Sequence, residues 1–323
     1  MKRALVTGAS GFVGRYLSAR LAADQVEVFA AGGPHDADPH LPIDLADIDS
    51  LHAAFDLAQP DVVFHLAAQA FVPRAIETPA ETYQTNVIGT ANVLAALRAF
   101  RDRGKREVRL VFVSSAEVYG VQPPERMPLD ESCAPNPSNP YAASKAAAEA
   151  IVLGEVRSFG VDAIITRAFN HIGPGQNERF VVPAFAKQLA EIAHGAQPVL
   201  LVGNLEPRRD FLDVRDVVDA YAALARSGRG GEIYNVCSGS AISIREVLGE
   251  LIRIAGVPVE VREDSARMRP ADVPVLYGSN DKISSATGWS PRVPLRRTLQ
   301  DVYMGFDKLS RPSTSSGSFD TSG

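Results

Sequence analysis

The feature that most constrains the fold is a set of three glycines, each three residues apart, near the start of the chain. The segment Gly8-Ala9-Ser10-Gly11-Phe12-Val13-Gly14 directly follows the apolar run Ala4-Leu5-Val6. Gly8 permits a tight turn, Gly11 lets the backbone approach a phosphate, and Gly14 lets a helix pack closely against the strand. The N-terminus of that helix would present unpaired N–H groups to an anion. A glycine-rich turn without a ligand is the competing interpretation, but the position between strand and helix favours a dinucleotide pyrophosphate.

Short apolar runs alternate with helical patterns through the first half of the chain. The predicted strands are residues 4–6, 26–30, 61–65, 110–113 and 162–167, and the predicted helices are residues 12–22, 51–58, 80–100 and 141–159. Continuous apolar strands separated by helices predict an α/β fold of the Rossmann type, a doubly wound parallel sheet covered on both faces. We expect residues 1–168 to form this dinucleotide-binding domain.

The second half has a different composition, with more Gly and Pro after about residue 168. Its predicted helices are residues 182–193, 214–225 and 244–255, and its predicted strands are residues 199–202, 233–236 and 257–261. This pattern indicates a smaller C-terminal α/β substrate-binding domain over residues 169–309. Residues 310–323 are rich in Ser, Thr and Gly, and we expect them to be disordered.

Composition excludes several classes of protein. The chain has 323 residues and a net charge of −5, with basic residues scattered rather than blocked, so neither nucleic acid nor a membrane surface is an expected partner. Its two cysteines, Cys133 and Cys237, exclude a disulfide framework and a Cys-rich metal site, and no metal is predicted. No apolar run approaches the ~20 residues of a membrane span, and no signal peptide is evident. We therefore expect a cytoplasmic protein.

Residues after the second and third strands extend the predicted cofactor site. The carboxylate of Asp44 is placed to accept a hydrogen bond from an adenine amino group, or else to cap the next helix. His65 is interpreted as a hydrogen-bonded structural histidine, and Asn86 as a residue that ties its helix to the sheet or orients the active site. With the glycines, the predicted cofactor contacts are Phe12, Val13, Arg15, Asp44, Leu45, Leu66, Ala67 and Ala68.

The choice of cofactor depends on the end of the second strand. A Rossmann site that prefers NAD usually has an acidic residue there to hold the ribose 2′-hydroxyl. Residues 30–34 contain no acid, and they contain no arginine for a 2′-phosphate either. Arg15 is the nearest candidate, unless it is simply a solvated helix residue. We expect NADP(H) or NAD(H), with a preference for NADP(H).

A tyrosine and a lysine four residues apart form the first part of a predicted catalytic group. Tyr141 and Lys145 share one face of a helix that opens after a Pro-rich loop. An unperturbed phenol has a pKa of ~10, and we expect the nearby ammonium to lower the pKa of Tyr141. We also expect Lys145 to bind the nicotinamide ribose. An ordinary helix with an exposed lysine is the competing interpretation.

The fourth strand supplies the remaining catalytic candidates. Ser115 stands at its end, where its hydroxyl can bind a substrate oxygen beside Tyr141. Glu117 follows two residues later, either as a base or as an acid that only shapes the pocket. Motifs at the ends of strands one and four and at the next helix, in this order, are more specific together than singly.

This combination resembles the extended short-chain dehydrogenase/reductase family, in its nucleotide-sugar branch, from Thr7 to about Trp289. The resemblance implies that Tyr141 is the acid/base, Lys145 its activator and Ser115 the ligand of the substrate oxygen. It also implies a homodimer built on two long helices, here residues 80–100 and 141–159, although their Ala-rich surfaces are equally consistent with packing within one chain.

Segments of the second half add expected substrate contacts. Residues 167–176 look like the family segment that joins cofactor and sugar nucleotide, and Arg209 and Arg269 stand where the family grips a diphosphate. Arginine suits that task because it binds phosphate oxygens bidentately, although ion pairs with Asp210 or Asp272 are the competing interpretation. The expected substrate contacts are Ser115, Asn170, Val181, Lys187, Arg209 and Arg269.

Within the family, residues 169–176, 203–211 and 235–239 look most similar to the reductases of GDP-4-keto-6-deoxy-D-mannose, which form GDP-D-rhamnose. The GDP-mannose 4,6-dehydratases remain the alternative because Glu117 stands where they have their proton-abstracting glutamate. Against them, Ser115 replaces their threonine, and the loop 172–175 lacks their Glu and Arg. A non-catalytic nucleotide-sugar sensor is a third possibility, but it has no need of Ser115, Tyr141 and Lys145 together.

Overall fold

Seven parallel strands form the central sheet in the computed structural model, which describes residues 1–33, 41–104, 106–267 and 273–310. The strands are β1 (Arg3–Thr7), β2 (Glu27–Gly32), β3 (Leu41–Pro42), β4 (Val62–His65), β5 (Arg109–Ser115), β6 (Asp162–Ala168) and, from the second half, β11 (Ile233–Val236). Their order is β11-β6-β5-β4-β1-β2-β3. From β1 the chain adds β2 and β3 on one side and then β4, β5 and β6 on the other. The strand order therefore reverses between β1 and β4, and ligands of such folds bind at that point. The predicted doubly wound fold is confirmed.

Helices cover both faces of the sheet. They are α1 (Phe12–Ala23), α2 (Ile48–Ala58), α3 (Val72–Glu77), α4 (Pro79–Tyr83), α5 (Gly89–Gly104), α6 (Pro140–Phe159), α7 (Val181–Ala193), α8 (Val214–Ser227), α9 (Ile244–Ala255), α10 (Asp281–Thr287) and α11 (Leu295–Ser310). Helices α1 and α8 pack on one face, and α2, α5 and α6 on the other. Because the apolar residues of the strands point to both faces of the sheet, both faces become core.

The long helix predicted over residues 80–100 is interrupted. Between α4 and α5 lies one π-helical turn, Gln84–Ile88. Asn86, inside this turn, accepts a hydrogen bond from the Gln69 amide at 2.8 Å and donates to the Gln69 carbonyl at 2.9 Å and to Ser144 Oγ at 2.9 Å. Such widened turns are frequent at functional sites. Here the turn carries a buried amide that joins the loop after β4 to α6, in agreement with the tying role expected of Asn86.

The second half contributes short strands and a third core. The strands are β7 (Asn170–Ile172), β8 (Val199–Val202), β9 (Arg208–Arg209), β10 (Phe211–Asp213), β12 (Ile242–Ser243), β13 (Glu260–Glu263) and β14 (Val275–Leu276). Apolar faces of α7, α9 and α11 pack together with β8. The strand expected at residues 257–261 begins at Glu260 instead, because β13 pairs in parallel with β8 from Val199 onward.

The two halves are joined through the sheet. Strand β11 pairs with β6 although it comes from the second half, and α8 packs beneath the same strands. A boundary near residue 168 therefore stays a proposal. Helix α11 includes Ser310, the first residue of the tail predicted to be disordered, and residues 311–323 lie outside the described residues. Within the described ranges, no helix has the length and apolar character needed to cross a membrane.

Candidate functional site

A cavity of about 410 Å³ opens at the carboxyl ends of the central strands and takes its walls from both halves of the chain. At one end lies the glycine turn, and at the other the residues predicted to be catalytic. The predicted site residues that line it are Gly8, Gly11, Phe12, Val13, Gly14, Leu66, Ala68, Ser115, Glu117, Tyr141, Lys145, Asn170 and Val181. Residues far apart in sequence therefore share one chamber.

The glycine turn Gly8–Gly14 forms a cradle at the N-terminus of α1. Gly8 has a φ of +72°, and a Cβ atom on it would lie 2.8 Å from the Ala67 nitrogen. A Cβ on Gly14 would lie 2.2 Å from the Gly8 carbonyl oxygen, and one on Gly11 3.1 Å from the same oxygen. Helix α1 starts at Phe12 with no side-chain cap on its N–H groups. The cradle thus combines a compact backbone with the N–H groups of the first turn of α1, which no side chain caps, as a pyrophosphate requires.

A buried histidine supports the cradle from below. His65 Nδ1 shares a hydrogen bond with Thr7 Oγ1 at 2.7 Å, and its Nε2 shares one with Thr90 Oγ1 at 3.1 Å. Burial, with a smaller contribution from the charge of Lys145, lowers the pKa of His65 to about 3. The imidazole is therefore neutral, which agrees with its interpretation as structural.

Helix α6 positions the catalytic pair. Asn139 caps its N-terminus by accepting a hydrogen bond from the Ala142 amide at 2.9 Å, and Pro140 occupies its first turn. Tyr141 and Lys145 then lie one turn apart, both buried and both facing the cavity. Lys145 Nζ donates to the Val113 carbonyl at 2.8 Å. This bond attaches the lysine to the end of β5, beside Ser115.

The electrostatics of this pair differ from the expectation. Burial raises the pKa of Tyr141 to about 12, because it outweighs the hydrogen bond with Ser115 that lowers it, and the Glu117 carboxylate raises it further. The predicted lowering by Lys145 is wrong for the free protein, since that ammonium turns toward the Val113 carbonyl. Burial also lowers the pKa of Lys145 to about 8, against an opposing influence of Glu149. At neutral pH Tyr141 therefore carries its proton.

Ser115 and Glu117 are placed by a short 3₁₀ helix that follows β5. Ser115 Oγ accepts a hydrogen bond from the Glu117 amide at 3.2 Å, which caps the helix Ala116–Tyr119. The Glu117 carboxylate accepts from Asn139 Nδ2 at 3.3 Å. The hydroxyl and the carboxylate thus reach the cavity from one turn of backbone.

A buried ion pair behind the lysine was missed by sequence reasoning. Glu149 Oε2 lies 2.7 Å from Arg167 Nη2, and Ser114 Oγ donates to Glu149 Oε1 at 2.5 Å. Both charged side chains are almost fully buried. The available signal was the spacing, since Glu149 follows Lys145 by four residues on the same helix face.

Other predicted cofactor residues lie outside the lining of this cavity. Arg15 donates to the carbonyls of Ser10 and Gly175, so it joins the cradle to the loop after β7. Asp44 Oδ1 accepts from the Ala46 amide, and the Leu45 carbonyl accepts from Asn92. Ala67 packs beside Gly8 and donates its amide to Thr7 Oγ1.

Of the long basic side chains predicted for the substrate, Lys187 and Arg209 also lie outside the lining of this cavity. Lys187 Nζ forms ion pairs with Glu178 at 2.9 Å and Glu191 at 3.9 Å at the surface. Arg209 is buried and donates from Nη1 to the Val273 carbonyl at 2.6 Å and the Arg208 carbonyl at 3.0 Å. Arg269 lies outside the described residues.

Aromatic contacts across the cavity were not anticipated. Phe12 stacks on His171 with ring centroids 6.3 Å apart, and Phe71 meets Phe180 edge to face at 6.2 Å. All four rings line the cavity. Both pairs form between segments distant in sequence, so no local pattern could reveal them.

Similarity to known proteins extends across both halves. The family model described as GDP-mannose 4,6 dehydratase matches residues 5–302. The chain is 40% identical to the GDP-6-deoxy-D-mannose reductase of Pseudomonas aeruginosa over 96% of this chain and 99% of that protein. It superposes on RMD from Pseudomonas aeruginosa complexed with NADPH with a TM-score of 0.84 at 38% identity, covering 95% of this chain and 100% of that chain. On the UDP-glucose 4-epimerase of Thermus thermophilus in complex with NAD, the TM-score is 0.82 at 31% identity, covering 94% and 98%.

Proposed function

The chain belongs to the GDP-mannose 4,6 dehydratase family, and from that premise we propose that it is an NAD(P)H-dependent reductase of GDP-4-keto-6-deoxy-D-mannose. The product is GDP-D-rhamnose. The observation that carries the proposal is the meeting of Ser115, Tyr141 and Lys145 in the cavity whose other end is the cradle. The name of the Pseudomonas aeruginosa relative supports the substrate.

The cavity fits a nicotinamide dinucleotide. Gly8 and Gly14 leave no room for a Cβ, because neighbouring backbone atoms approach both, and this compact turn supports close approach of its backbone to a phosphate group. Gly8, Gly11, Phe12, Val13 and Gly14 would hold the diphosphate, and Leu66, Ala68, Tyr141 and Lys145 the nicotinamide end. When bound, the reduced cofactor supplies the hydride that the ketone carbon receives.

Tyr141 and Ser115 complete the reduction at the ketone oxygen. Tyr141 donates its phenolic proton to the oxygen that becomes negative as hydride arrives, and Ser115 donates a hydrogen bond to the same oxygen. Burial raises the pKa of Tyr141 to about 12, which keeps this donor protonated at neutral pH. Lys145 stays fixed by the Val113 carbonyl and directs its remaining donors toward the cofactor ribose.

A dehydratase acting on GDP-mannose is the second candidate, and Glu117 favours it. This carboxylate lines the cavity and is close enough to Tyr141 to raise the pKa of the phenol. Elimination of water needs a base at that point, but the preceding oxidation needs a tyrosinate, which burial disfavours here. We therefore favour the reductase over the dehydratase.

The direct test supplies purified protein with GDP-4-keto-6-deoxy-D-mannose and NADPH or NADH. We expect one cofactor oxidised per sugar reduced, with GDP-D-rhamnose as the product by NMR. A second reaction supplies GDP-mannose with oxidised cofactor alone. A 4-keto-6-deoxy product in that reaction, with no reduction in the first, would replace the proposal by the dehydratase. Binding of both ligands without turnover would indicate the sensor.

The preference for NADP(H) is part of the proposal. Its support is the absence of an acid in Ala31-Gly32-Gly33 at the end of β2 and the NADPH of the Pseudomonas aeruginosa structure. Arg15 has hydrogen bonds to two backbone carbonyls, so we assign it to holding the loop rather than to the 2′-phosphate. Comparing kcat/KM for NADPH and NADH tests this preference.

We further propose a cytoplasmic homodimer that pairs helices α5 and α6 with their counterparts. Tyr83 and Ile88, at the start of this helical face, are 40% and 45% exposed, which leaves apolar surface for a second copy. Light scattering should give twice the mass of the chain, and Ile88→Glu should shift it to that of one chain. A wild-type monomer would contradict the proposal.

A further inference from the structure

Among the described residues that line the cavity, two carry a buried polar side-chain atom that has no hydrogen-bond partner. The two atoms are Oε1 of Gln176 and the hydroxyl of Tyr221. A buried hydroxyl without a partner costs free energy, so each such group calls for an explanation. Tyr221 is fully buried, while Gln176 already uses its amide nitrogen on the His171 carbonyl at 3.0 Å.

Tyr221 reaches the cavity from the opposite side of the sheet to the catalytic helix. It lies on α8, among the apolar residues that pack under β5 and β6, whereas Tyr141 and Lys145 lie on α6. Thr166 of β6 is its polar neighbour and acts to lower its pKa, but the two hydroxyls do not reach hydrogen-bond geometry, and that of Thr166 donates to the Phe112 carbonyl at 3.3 Å. Burial raises the pKa of Tyr221, so its hydroxyl is protonated and can act as a donor.

The path of a dinucleotide through the cavity identifies an acceptor for this hydroxyl. The diphosphate enters at the cradle, and the reactive end must reach Tyr141. Tyr221 and Tyr141 both line the cavity, and an ionised Tyr141 would raise the pKa of Tyr221, so the two phenols lie near one another. The part of the cofactor that must lie beside Tyr141 carries the ribose and the carboxamide, both rich in acceptors.

We propose that the Tyr221 hydroxyl donates a hydrogen bond to the nicotinamide riboside end of the cofactor and thereby fixes that end beside Tyr141. This role rests on the proposed dependence on a nicotinamide cofactor and assigns to it a residue from α8. Tyr221 is a binding residue and takes no part in proton transfer. The bond forms only when the cofactor is present, so the free protein holds the hydroxyl unsatisfied.

The test compares Tyr221→Phe with Tyr119→Phe. Tyr119 is also fully buried, but its hydroxyl donates to Asn235 Oδ1 at 2.7 Å and it does not line the cavity. Calorimetry would measure the affinity for NADPH and for 2′-phospho-ADP-ribose, which lacks the nicotinamide (NADH and ADP-ribose if the protein prefers NADH). Urea unfolding would compare the stability of the cofactor-free proteins.

We expect Tyr221→Phe to weaken binding of the complete dinucleotide about three- to tenfold, since one hydrogen bond is lost. Affinity for the ligand without nicotinamide should stay the same. The cofactor-free variant should unfold at the same or a higher urea concentration than the wild type. Tyr119→Phe should show the reverse pattern, with a lower unfolding midpoint and unchanged affinity for both ligands.

Equal affinity of wild type and Tyr221→Phe for the complete dinucleotide would overturn the inference, as would equal losses for both ligands. A lower unfolding midpoint of the cofactor-free variant would also overturn it, because the hydroxyl would then already have a partner. Failure of the wild type to bind any nicotinamide dinucleotide would instead overturn the proposed function. The two failures are therefore distinguishable.

Discussion

The cavity has two sides, one for the cofactor and the catalytic residues and one for the nucleotide sugar. The two sides were predicted from different kinds of residue. The first depends on glycines and on short or rigid side chains, such as Ser115 and Tyr141, and these meet in one chamber. The second was predicted in part from long basic side chains, and the structure places Lys187 and Arg209 outside the lining, whereas the shorter Asn170 and Val181 do line the cavity.

The difference follows from what fixes each group in space. Gly14 is held by the turn it belongs to, and Tyr141 by a capped helix, so their positions follow from local sequence. Lys187 has several rotatable bonds, and its position depends on the glutamates around it. Substitutions on the two sides should therefore have effects of different sizes.

The largest effect is expected from Tyr141→Phe, which removes the proton donor and little else. We expect kcat to fall about 10²- to 10⁴-fold, the usual contribution of a positioned acid. Cofactor affinity should change little, because the ring remains. Stopped-flow oxidation of the reduced cofactor with the keto sugar measures the first quantity, and calorimetry the second. Reduction at the wild-type rate would end the assignment of Tyr141.

The next effect is expected from Gly14→Ala. The new Cβ would lie 2.2 Å from the Gly8 oxygen and 2.6 Å from the Ala9 Cα, both backbone atoms that cannot turn away. Overpacking of this kind costs about 1–3 kcal/mol, and the displaced cradle should bind the cofactor at least about tenfold more weakly. Urea unfolding and calorimetry measure the two effects.

Gly249→Ala provides the control within the same chain. Gly249 lies inside α9, and a Cβ there would meet no atom within 4 Å. We expect this variant to be up to about 1 kcal/mol more stable than the wild type, since alanine favours a helix. Equal stability and equal cofactor affinity of the two alanine variants would mean that the backbone of the cradle shifts to accept the new Cβ, contrary to its rigid geometry.

A moderate effect is expected from pH through Lys145. Burial lowers the pKa of its ammonium to about 8, so the charge is present below that pH and is lost as pH rises through it. Because the charge is needed to hold the cofactor ribose, kcat/KM should decline on the alkaline side near pH 8. The profile of kcat/KM reports groups of the free enzyme.

Lys145→Arg should remove that alkaline decline, at a lower overall rate, because a guanidinium stays charged throughout this range. Lys282→Arg is the matched control. Lys282 is paired with Glu232 at 2.8 Å near the surface, so its replacement should leave the profile in place. A decline that persists in Lys145→Arg would assign it to another group.

The sequence predicted the sheet because its strands are apolar on both faces and its helices have regular spacing. It missed the π turn at Gln84–Ile88, since that turn depends on the contact of Asn86 with Gln69 and Ser144. It missed the direction of the Tyr141 pKa as well. Burial is a tertiary property, and the orientation of Lys145 toward the Val113 carbonyl is not visible in a four-residue spacing.

The smallest effect is expected from Lys187→Ala, and it tests the comparison most sharply. In the structure this lysine is in surface ion pairs with Glu178 and Glu191, and such pairs contribute at most about 1 kcal/mol. We expect KM for the nucleotide sugar to change less than about twofold on that basis, with stability nearly unchanged. Asn170→Ala, at a position that lines the cavity, should raise KM more than Lys187→Ala. A larger rise from Lys187→Ala would mean that the lysine leaves its glutamates when the nucleotide binds. The substrate side would then be assembled by its ligand, whereas the cradle is already formed in its absence.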